Sequence, residues 1–311
     1  MKIITLLPTK NEDWILESFL KNASIFSDHI IIADQMSNDG SREIIKKFHK
    51  VVLIDNKESG HSNKVRWQLL DAARDFDGEN MVFCLDADEF ILPIFFQNEL
   101  PHLLGKLSPG FLFEFNWVQL WKSLFRYRCD GAWQKSYKPI AFWDDRKMDY
   151  KREFVINDHT TRVPGPGTGM VREEMFPLLH LQFVPWERAQ IKQAWYRCVE
   201  LIKGDRSPQR INNTYSITLD VPDTHLTPVP QRWLEGIELP KHLDALPPTW
   251  HLQQILDWFD QYGIGFFEPL QIWHVRQLHD EFVRRVGREP KAKTFHPIVV
   301  RANDIKNKIL K

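Results

Sequence analysis

The chain has little cysteine. Cys84, Cys129 and Cys198 are the only three in 311 residues, odd in number and widely spaced. That pattern provides no disulfide framework and no zinc-ligand spacing, and it points to a reducing compartment. An excess of charge is also missing. Lys+Arg and Asp+Glu each number 41, so the formal net charge is +0. General nucleic-acid binding, which needs a basic excess, is therefore not expected, although a local basic patch remains compatible. No run approaches the ~18 apolar residues of a membrane span. The opening Met-Lys-Ile-Ile-Thr-Leu-Leu-Pro carries one charge and then a short apolar stretch. It is too short for a signal-peptide core and reads as a first strand. A cytoplasmic protein is expected, with peripheral contact at the inner face of a membrane left open.

What is present is apolar and aromatic. The hydrophobic fraction of 43% is ample for a core, and 311 residues fit one large domain or a domain with an appendage. The count of 12 Trp is high. Aromatic-rich clefts bind sugars by stacking, but most Trp fill cores and interfaces.

The N-terminal third alternates as βαβ units do. Lys2 to Pro8, His29 to Ala33, Val51 to Ile54 and Met81 to Leu85 read as strands. Glu12 to Phe26, Ser41 to His49 and Asn63 to Phe76 carry helical apolar stripes. A parallel sheet with right-handed crossovers follows. Beyond it, Pro93 to Leu107 is helical near its end, and Phe111 to Trp121 predicts a strand followed by a hairpin-like insertion. Ser136 to Trp143, Arg152 to Ile156 and Phe176 to Phe183 predict further strands, and Pro185 to Ile202 a helix. Val-Pro-Gly-Pro-Gly-Thr-Gly, ending at Gly169, is a loop. Residues 204–248 are Pro-rich and weakly periodic, whereas Thr249 to Tyr262 and Gln271 to Val286 read as helices. The fold class expected is α/β: a Rossmann-like, mostly parallel sheet flanked by helices, with a mainly helical C-terminal extension. One domain is expected over 1–203 and a Pro-rich linker with the helical extension over 204–311.

The most informative run is Met-Val-Phe-Cys-Leu-Asp-Ala-Asp-Glu at Met81 to Glu89. An apolar segment suited to a doubly covered strand ends in Asp86, Asp88 and Glu89. Packing offers no reason to cluster three carboxylates there. Their repulsion calls for a cation, and hard oxygen ligands favour Mg²⁺ or Mn²⁺. Ligands of open α/β sheets bind at the carboxyl ends of strands, so a metal-bound phosphate ligand is implied. A solvated acidic turn is the plainer alternative. Two further loops join the same edge: Pro8-Thr9-Lys10-Asn11-Glu12, and Asp34-Gln35-Met36-Ser37-Asn38-Asp39-Gly40-Ser41. Thr9-x-x-Glu12 also fits a capping box, and Asn38 or Asp39 could cap the next helix. Lys64 and Arg66 open the third helix, where a diphosphate contact and a solvated face are both open.

These three carboxylate-bearing loops, in this order and in register with the strands, resemble the GT-A glycosyltransferases, in particular the family 2-like branch. The likeness covers about residues 1–120, the expected nucleotide-binding part, with a weaker echo to about 200 in the expected acceptor part, 121–203. It implies a GT-A-like fold and a metal-dependent transfer of a sugar from a nucleoside diphosphate, here UDP, to a hydroxyl of a glycan or glycolipid, as in polysaccharide biosynthesis. It implies nucleotide contacts from Pro8, Thr9, Asn11 and Glu12, base reading by Asp34, and the remainder of that loop from Ser37 and Asp39. Asp86-Ala87-Asp88 matches the Asp-x-Asp motif, with Asp88 the direct metal ligand and Asp86 beside it, and Glu89 extends the motif.

Such enzymes often take a further metal ligand, frequently His, from a later strand. His180 in Leu-Leu-His-Leu-Gln-Phe falls at that place, with His159 as competitor. Arg188 and Lys192, four apart on a helix, share a face and could meet a phosphate. Family 2 enzymes often use the Asp of a Glu-Asp pair as base; this chain offers Glu173-Glu174 instead, and Asp158 as a further candidate. Gly165, Gly167 and Gly169 could hinge a lid or form a plain loop, and Trp117, Trp121 and Trp133 could line the acceptor side. Two other classes stay in view. A sugar-nucleotide nucleotidyltransferase would share the acidic site but usually has a Gly-rich loop after its first strand, absent here. A sugar- or nucleotide-binding module without turnover is the other.

Overall fold

A computed structural model describes residues 1–58, 62–151, 161–241, 243, 246 and 249–291. These fall into two compact units, one from Met1–Val184 and Thr224–Ala245, the other from Pro185–Asp223 and Leu246–Lys311. The expected boundary at 203/204 falls inside the second unit, and residues 224–245 return to the first.

The first unit begins with β1 (Lys2–Thr9), α1 (Asp13–Phe26), β2 (His29–Asp34), α2 (Ser41–Ile45), β3 (Val51–Asp55), α3 (Lys64–Arg74) and β4 (Asn80–Cys84). Next come β5 (Glu89–Ile91), a π-helical turn at Phe95–Glu99, α4 (Leu100–Leu104), β6 (Phe111–Trp121), β7 (Arg126–Arg128), β8 (Tyr137–Trp143), β9 (Gly169–Phe183) and, later, β10 (Leu226–Pro228). Strand order along the sheet is β10-β7-β6-β8-β4-β1-β2-β3, with β9 against β6 and β5 against β9. Strands β1 to β4 are mutually parallel where they pair. β8 runs antiparallel to β4 and β6 antiparallel to β8, so β6 points the same way as β4, as does its parallel neighbour β9.

Two-residue periodicity explains why these runs carry so few polar residues. Leu7, Ile30, Ile32, Met81 and Phe83 enter one core with the α1 stripe of Ile15, Leu16, Phe19, Leu20 and Ala23. Their chain neighbours Leu6, Ile31, Ala33, Val82 and Cys84 enter a second core with Leu69, Leu70 and Ala73 of α3. A sheet covered on both faces needs apolar side chains at successive positions, not alternate ones. β5 escapes a sequence reading because three residues show no period. β9 begins seven residues before the expected Phe176, because its first half alternates between half-buried and exposed positions. The expected strand Arg152 to Ile156 lies outside the described residues.

The second unit is helical: α5 (Trp186–Lys203), α6 (Pro208–Thr214), α7 (Trp250–Tyr262), α8 (Ile264–Phe267) and α9 (Arg276–Val286). Ala194, Cys198, Ile211, Ile255, Phe267 and Leu278 are among its core. α5 stops at Gly204 and α9 at Gly287, both left-handed C-caps with φ 76° and 73°. α9 starts later than the expected Gln271, because Ile272 and Val275 are buried from the turns before it. Arg197 is fully buried and donates to the carbonyls of Gln193 and Tyr215; burial lowers its guanidinium pKa to about 10. At the start of α6, Ser207 Oγ accepts from Arg210 N, with Pro208 in the first turn. Ser207→Ala is expected to lose about 1 kcal/mol of stability in urea unfolding, the usual worth of such a cap. No described helix is long and apolar enough to cross a membrane.

Candidate active site

The carboxyl ends of β1, β2 and β4 lie side by side, with Thr9 opposite Asp34 and Leu6 opposite Cys84. The loops that leave them are held together by short polar contacts. Asp34, 0% exposed, accepts from Ser37 Oγ at 2.5 Å, Ser37 N at 3.1 Å and Arg42 Nη1 at 3.0 Å. Arg42 also donates to Asp55 on β3 at 2.7 Å. Ser37 Oγ accepts from Asn11 N, and Asn11 and Asn38 exchange two further hydrogen bonds. Asp39 accepts from Ser41 N and Asp13 N, so the helix-capping alternative holds for it. The expected capping box does not form: Glu12 is the N-cap of α1 without a capping side-chain bond, and its carboxylate takes the Trp14 indole N–H. Thr9 Oγ1 is buried at this edge and has no hydrogen-bond partner among the described residues. Pro8 beside it is half-buried. Asn11 and Met36 have left-handed φ of 54° and 51°. Asn tolerates that region, whereas Met36 carries strain. Lys64 pairs with Glu58 at 2.5 Å, and Arg66 is buried with Nη2 4.0 Å from Asp86.

The acid cluster folds as a turn in which Glu89 N donates to Asp86 O, while Asp86 N donates to Glu89 Oε2. Ala87 is buried beneath it. Glu89, 0% exposed, also accepts from the Trp117 indole at 2.7 Å and from Arg162 Nη1 at 2.5 Å. Arg162 Nη2 reaches Asp86 Oδ2 at 2.6 Å. Burial pushes the Glu89 carboxyl up, against the pull of Arg162. Burial would lower Arg162, but Asp86 and Glu89 raise it and keep it charged. Across the β5–β9 pairing, Glu89 stands opposite His180. His180 Nε2 is 3.4 Å from Asp88 Oδ1, and Nδ1 is 2.6 Å from Gln119 Oε1. The Gln119 amide orients the imidazole through Nδ1, and Nε2 faces Asp88. The Trp117 ring stacks on the imidazole at 4.4 Å.

Asp88 and His180 thus bring an oxygen and an imidazole donor together, with the imidazole oriented by a second partner as metal-bound His usually is. Among the described residues no group of three or more His, Cys, Asp or Glu converges to hold a metal. The pair fits Mn²⁺ or Mg²⁺ that completes its shell with phosphate oxygens and water.

Glu173 and Glu174 stand apart from that pair. Glu173 pairs with Phe115 and His180 with Gln119, four residues along β6 or roughly 13 Å. Glu173 is buried and accepts from Met175 N and Phe176 N of its own bulge, while Glu174 is exposed beside it. Asp158 and His159 lie outside the described residues. Arg188 and Lys192 are half-buried on α5, in the second unit. Trp121 is fully buried against Phe183 and does not line a cleft; Trp117 is committed to Glu89 and His180; Trp133 is half-buried 6.1 Å from Trp117. Gly169 gives close packing in place of a hinge, since a Cβ there would lie 2.6 Å from the Phe111 ring. Sequence reasoning missed Arg162, Gln119 and Arg42. Gln119 and Arg162 sit in a strand and a loop with no motif, whereas Arg42, eight residues after Asp34, could have been sought as the counter-ion of a buried carboxylate.

Burial raises the Glu173 carboxyl above its ordinary value. A raised acid keeps its proton in the folded protein after the unfolded chain has released it. The folded state then binds more protons, and stability falls as pH rises from about 4.3 through the raised value. Glu173→Gln keeps an acceptor for both N–H groups and removes this fall. Urea unfolding across that window is expected to show a shallower pH slope in the variant.

The model of glycosyl transferase family 2 matches residues 5–106. Among solved structures, S. aureus TarS 1-349 in complex with UDP is 15% identical, with 99% of this chain and 89% of that chain covered and a TM-score of 0.38. Glucosyl-3-phosphoglycerate synthase from Mycobacterium tuberculosis, in complex with Mn²⁺, UDP and glucosyl-3-phosphoglycerate, is 19% identical over 38% of this chain, with a TM-score of 0.27. The chain covers 44% of that synthase, less than half its length. No curated protein matches the chain. The family match runs from within β1 to just past α4 and takes in the loops after β1, β2 and β4, so the chain carries over this stretch a segment that matches glycosyl transferase family 2.

Proposed function

We propose that the protein is a metal-dependent glycosyltransferase that moves a hexose-type sugar from UDP to a hydroxyl of a glycan or glycolipid, with inversion at the anomeric carbon. The observation that carries this reading is the Asp88–His180 pair, 3.4 Å apart at the carboxyl edge of the sheet and oriented by Gln119. Asp88 and His180 would hold Mn²⁺ or Mg²⁺, which when bound neutralises the charge that builds on a departing diphosphate.

The chain's own residues do the rest. Thr9 Oγ1, buried and without a hydrogen-bond partner among the described residues, is the nearest candidate for a ribose or base contact. Asp34, Ser37, Asn11 and Asp39 act by fixing the two loops against which the nucleotide lies, because their polar atoms are already engaged with one another. Glu12, Lys64, Arg66, Asp86 and Ala87 complete that wall. Arg188 and Lys192 are proposed as phosphate contacts on charge and helical spacing alone. Inversion needs a carboxylate to take the proton of the incoming hydroxyl. Glu173, Glu174 and Asp158 are the candidates, and Glu173 is the least suited because its Oε1 holds two backbone N–H groups.

Calorimetric titration of UDP, GDP and CMP, each with Mn²⁺ and with EDTA, tests the reading. Metal-dependent binding of UDP, lost in Asp88→Ala, is expected. A protein that binds none of the three under either condition is not a nucleotide-sugar transferase of this kind.

A further inference from the structure

Two cations approach the Trp117 ring, which stacks on His180 at 4.4 Å. The Arg162 guanidinium lies 5.8 Å and the Lys138 ammonium 5.7 Å from its centroid. Their charges are used differently. Arg162 pairs with Asp86 and Glu89. Lys138 is exposed, and among the described residues no carboxylate pairs with it. The carboxylate in register with it is Glu173, since Phe115 stands opposite Lys138 on one side and opposite Glu173 on the other. Glu173 is buried and gives its Oε1 to two backbone N–H groups instead.

The sheet decides which substrate meets Lys138. β8 runs antiparallel to β4 with Ala141 opposite Phe83, so Lys138, earlier in β8, lies toward the carboxyl end of β4 where the acid turn begins. The strand order β8-β4-β1-β2 places it across β4 from the loops after β1 and β2. Those loops form the proposed nucleotide wall, and the ground beside Trp117 and Lys138 is left to the acceptor.

We propose that Lys138 selects the acceptor by charge, holding an anionic group, phosphate or carboxylate, on the sugar unit whose hydroxyl receives the transferred sugar. The inference rests on the glycosyltransferase reading and narrows its acceptor to an acidic glycan or glycolipid. Attraction to the indole face holds the ammonium in place, and its N–H donors stay available to an anion. Trp133, half-buried 6.1 Å from Trp117, adds an apolar surface for the ring that carries the anion. A neutral sugar leaves the ammonium in water and gains nothing from it. A lysine that only covered Trp117 would stabilise the fold and give no preference between acidic and neutral sugars.

The test is ligand-observed NMR titration of glucose, glucuronate and glucose 6-phosphate, without nucleotide, on wild type, K138R, K138Q and K138E. The three probes share a ring and differ only at one carbon, so the comparison isolates charge. Wild type is expected to bind one of the anions on the order of tenfold more tightly than glucose, the yield of one charge-assisted hydrogen bond. Which anion wins identifies the group. K138R should keep the preference, K138Q should reduce it to about twofold or less, and K138E should reverse it. No preference in wild type, or an unchanged preference in K138Q, overturns the proposal. Titration of UDP with Mn²⁺ into K138Q is the second arm. An affinity equal to wild type is expected, and a tenfold loss would assign Lys138 to the donor's diphosphate and overturn its acceptor role. A wild type that binds no UDP counts against the glycosyltransferase reading instead, because the sugar comparison needs no nucleotide.

Discussion

Asp88→Ala is expected to lower sugar transfer by on the order of 10³-fold while leaving the fold intact. Asp88 is buried at the carboxyl edge of the sheet, next to His180 Nε2, and its backbone carbonyl accepts from Leu181 N. The alanine variant keeps that backbone bond and loses the oxygen donor. A developing diphosphate charge then loses the group that would hold its counter-ion, and such losses cost several kcal/mol in the transition state. Steady-state release of UDP with Mn²⁺, alongside far-UV circular dichroism, measures both halves of the prediction. Turnover within tenfold of wild type would remove Asp88 from the chemistry. A nucleotidyltransferase would lose sugar-nucleotide synthesis in the same variant, and a binding module would show no turnover to lose.

The second large effect is on stability. Glu89→Ala is expected to cost about 3–5 kcal/mol, the range for removing one partner of a buried ion pair. The substitution leaves Arg162, the Trp117 indole and Asp86 N without their shared acceptor. Glu89→Ala combined with Arg162→Met should cost less than the sum of the two single changes, because the second removes a charge the first has stranded. Urea unfolding of the four proteins of this cycle gives the coupling. Additive losses would mean that the two side chains are stabilised separately, and that Glu89 does not depend on Arg162 for its burial.

Glu89 also shows where sequence reading succeeds and where it stops. The run Met81 to Glu89 announces a buried strand that ends in acid, because apolar continuity and charge clustering are both local properties. The division of labour among the three carboxylates is not local. It depends on Arg162 being 73 residues away from Glu89 and on His180 being opposite it on β9. The same holds for Asp34. Its position after four apolar residues marks it as special, yet that position does not show that Arg42, Ser37 and the neighbouring loop share its oxygens. His180 was legible as a candidate from its place late in the chain, but the partner that orients it, Gln119, comes from pairing of β6 with β9. Helix starts were read least well where apolar residues in turns, such as Ile272 and Val275, imitate a helical stripe.

Asn11 and Asn38 each use a side-chain amide on the other: Asn11 Nδ2 donates to Asn38 Oδ1, and Asn38 N donates to Asn11 Oδ1. One loop follows β1 and the other follows β2, so neither sequence segment sets its own shape. Asn11 also occupies a left-handed φ of 54° that few other residues tolerate. Replacing the Asn11 side chain removes both bonds, whereas replacing the Asn38 side chain removes only one, because Asn38 donates the other from its backbone N–H. Descendants of this chain should accordingly hold Asn11 more strictly than Asn38, even where the surrounding loop residues drift.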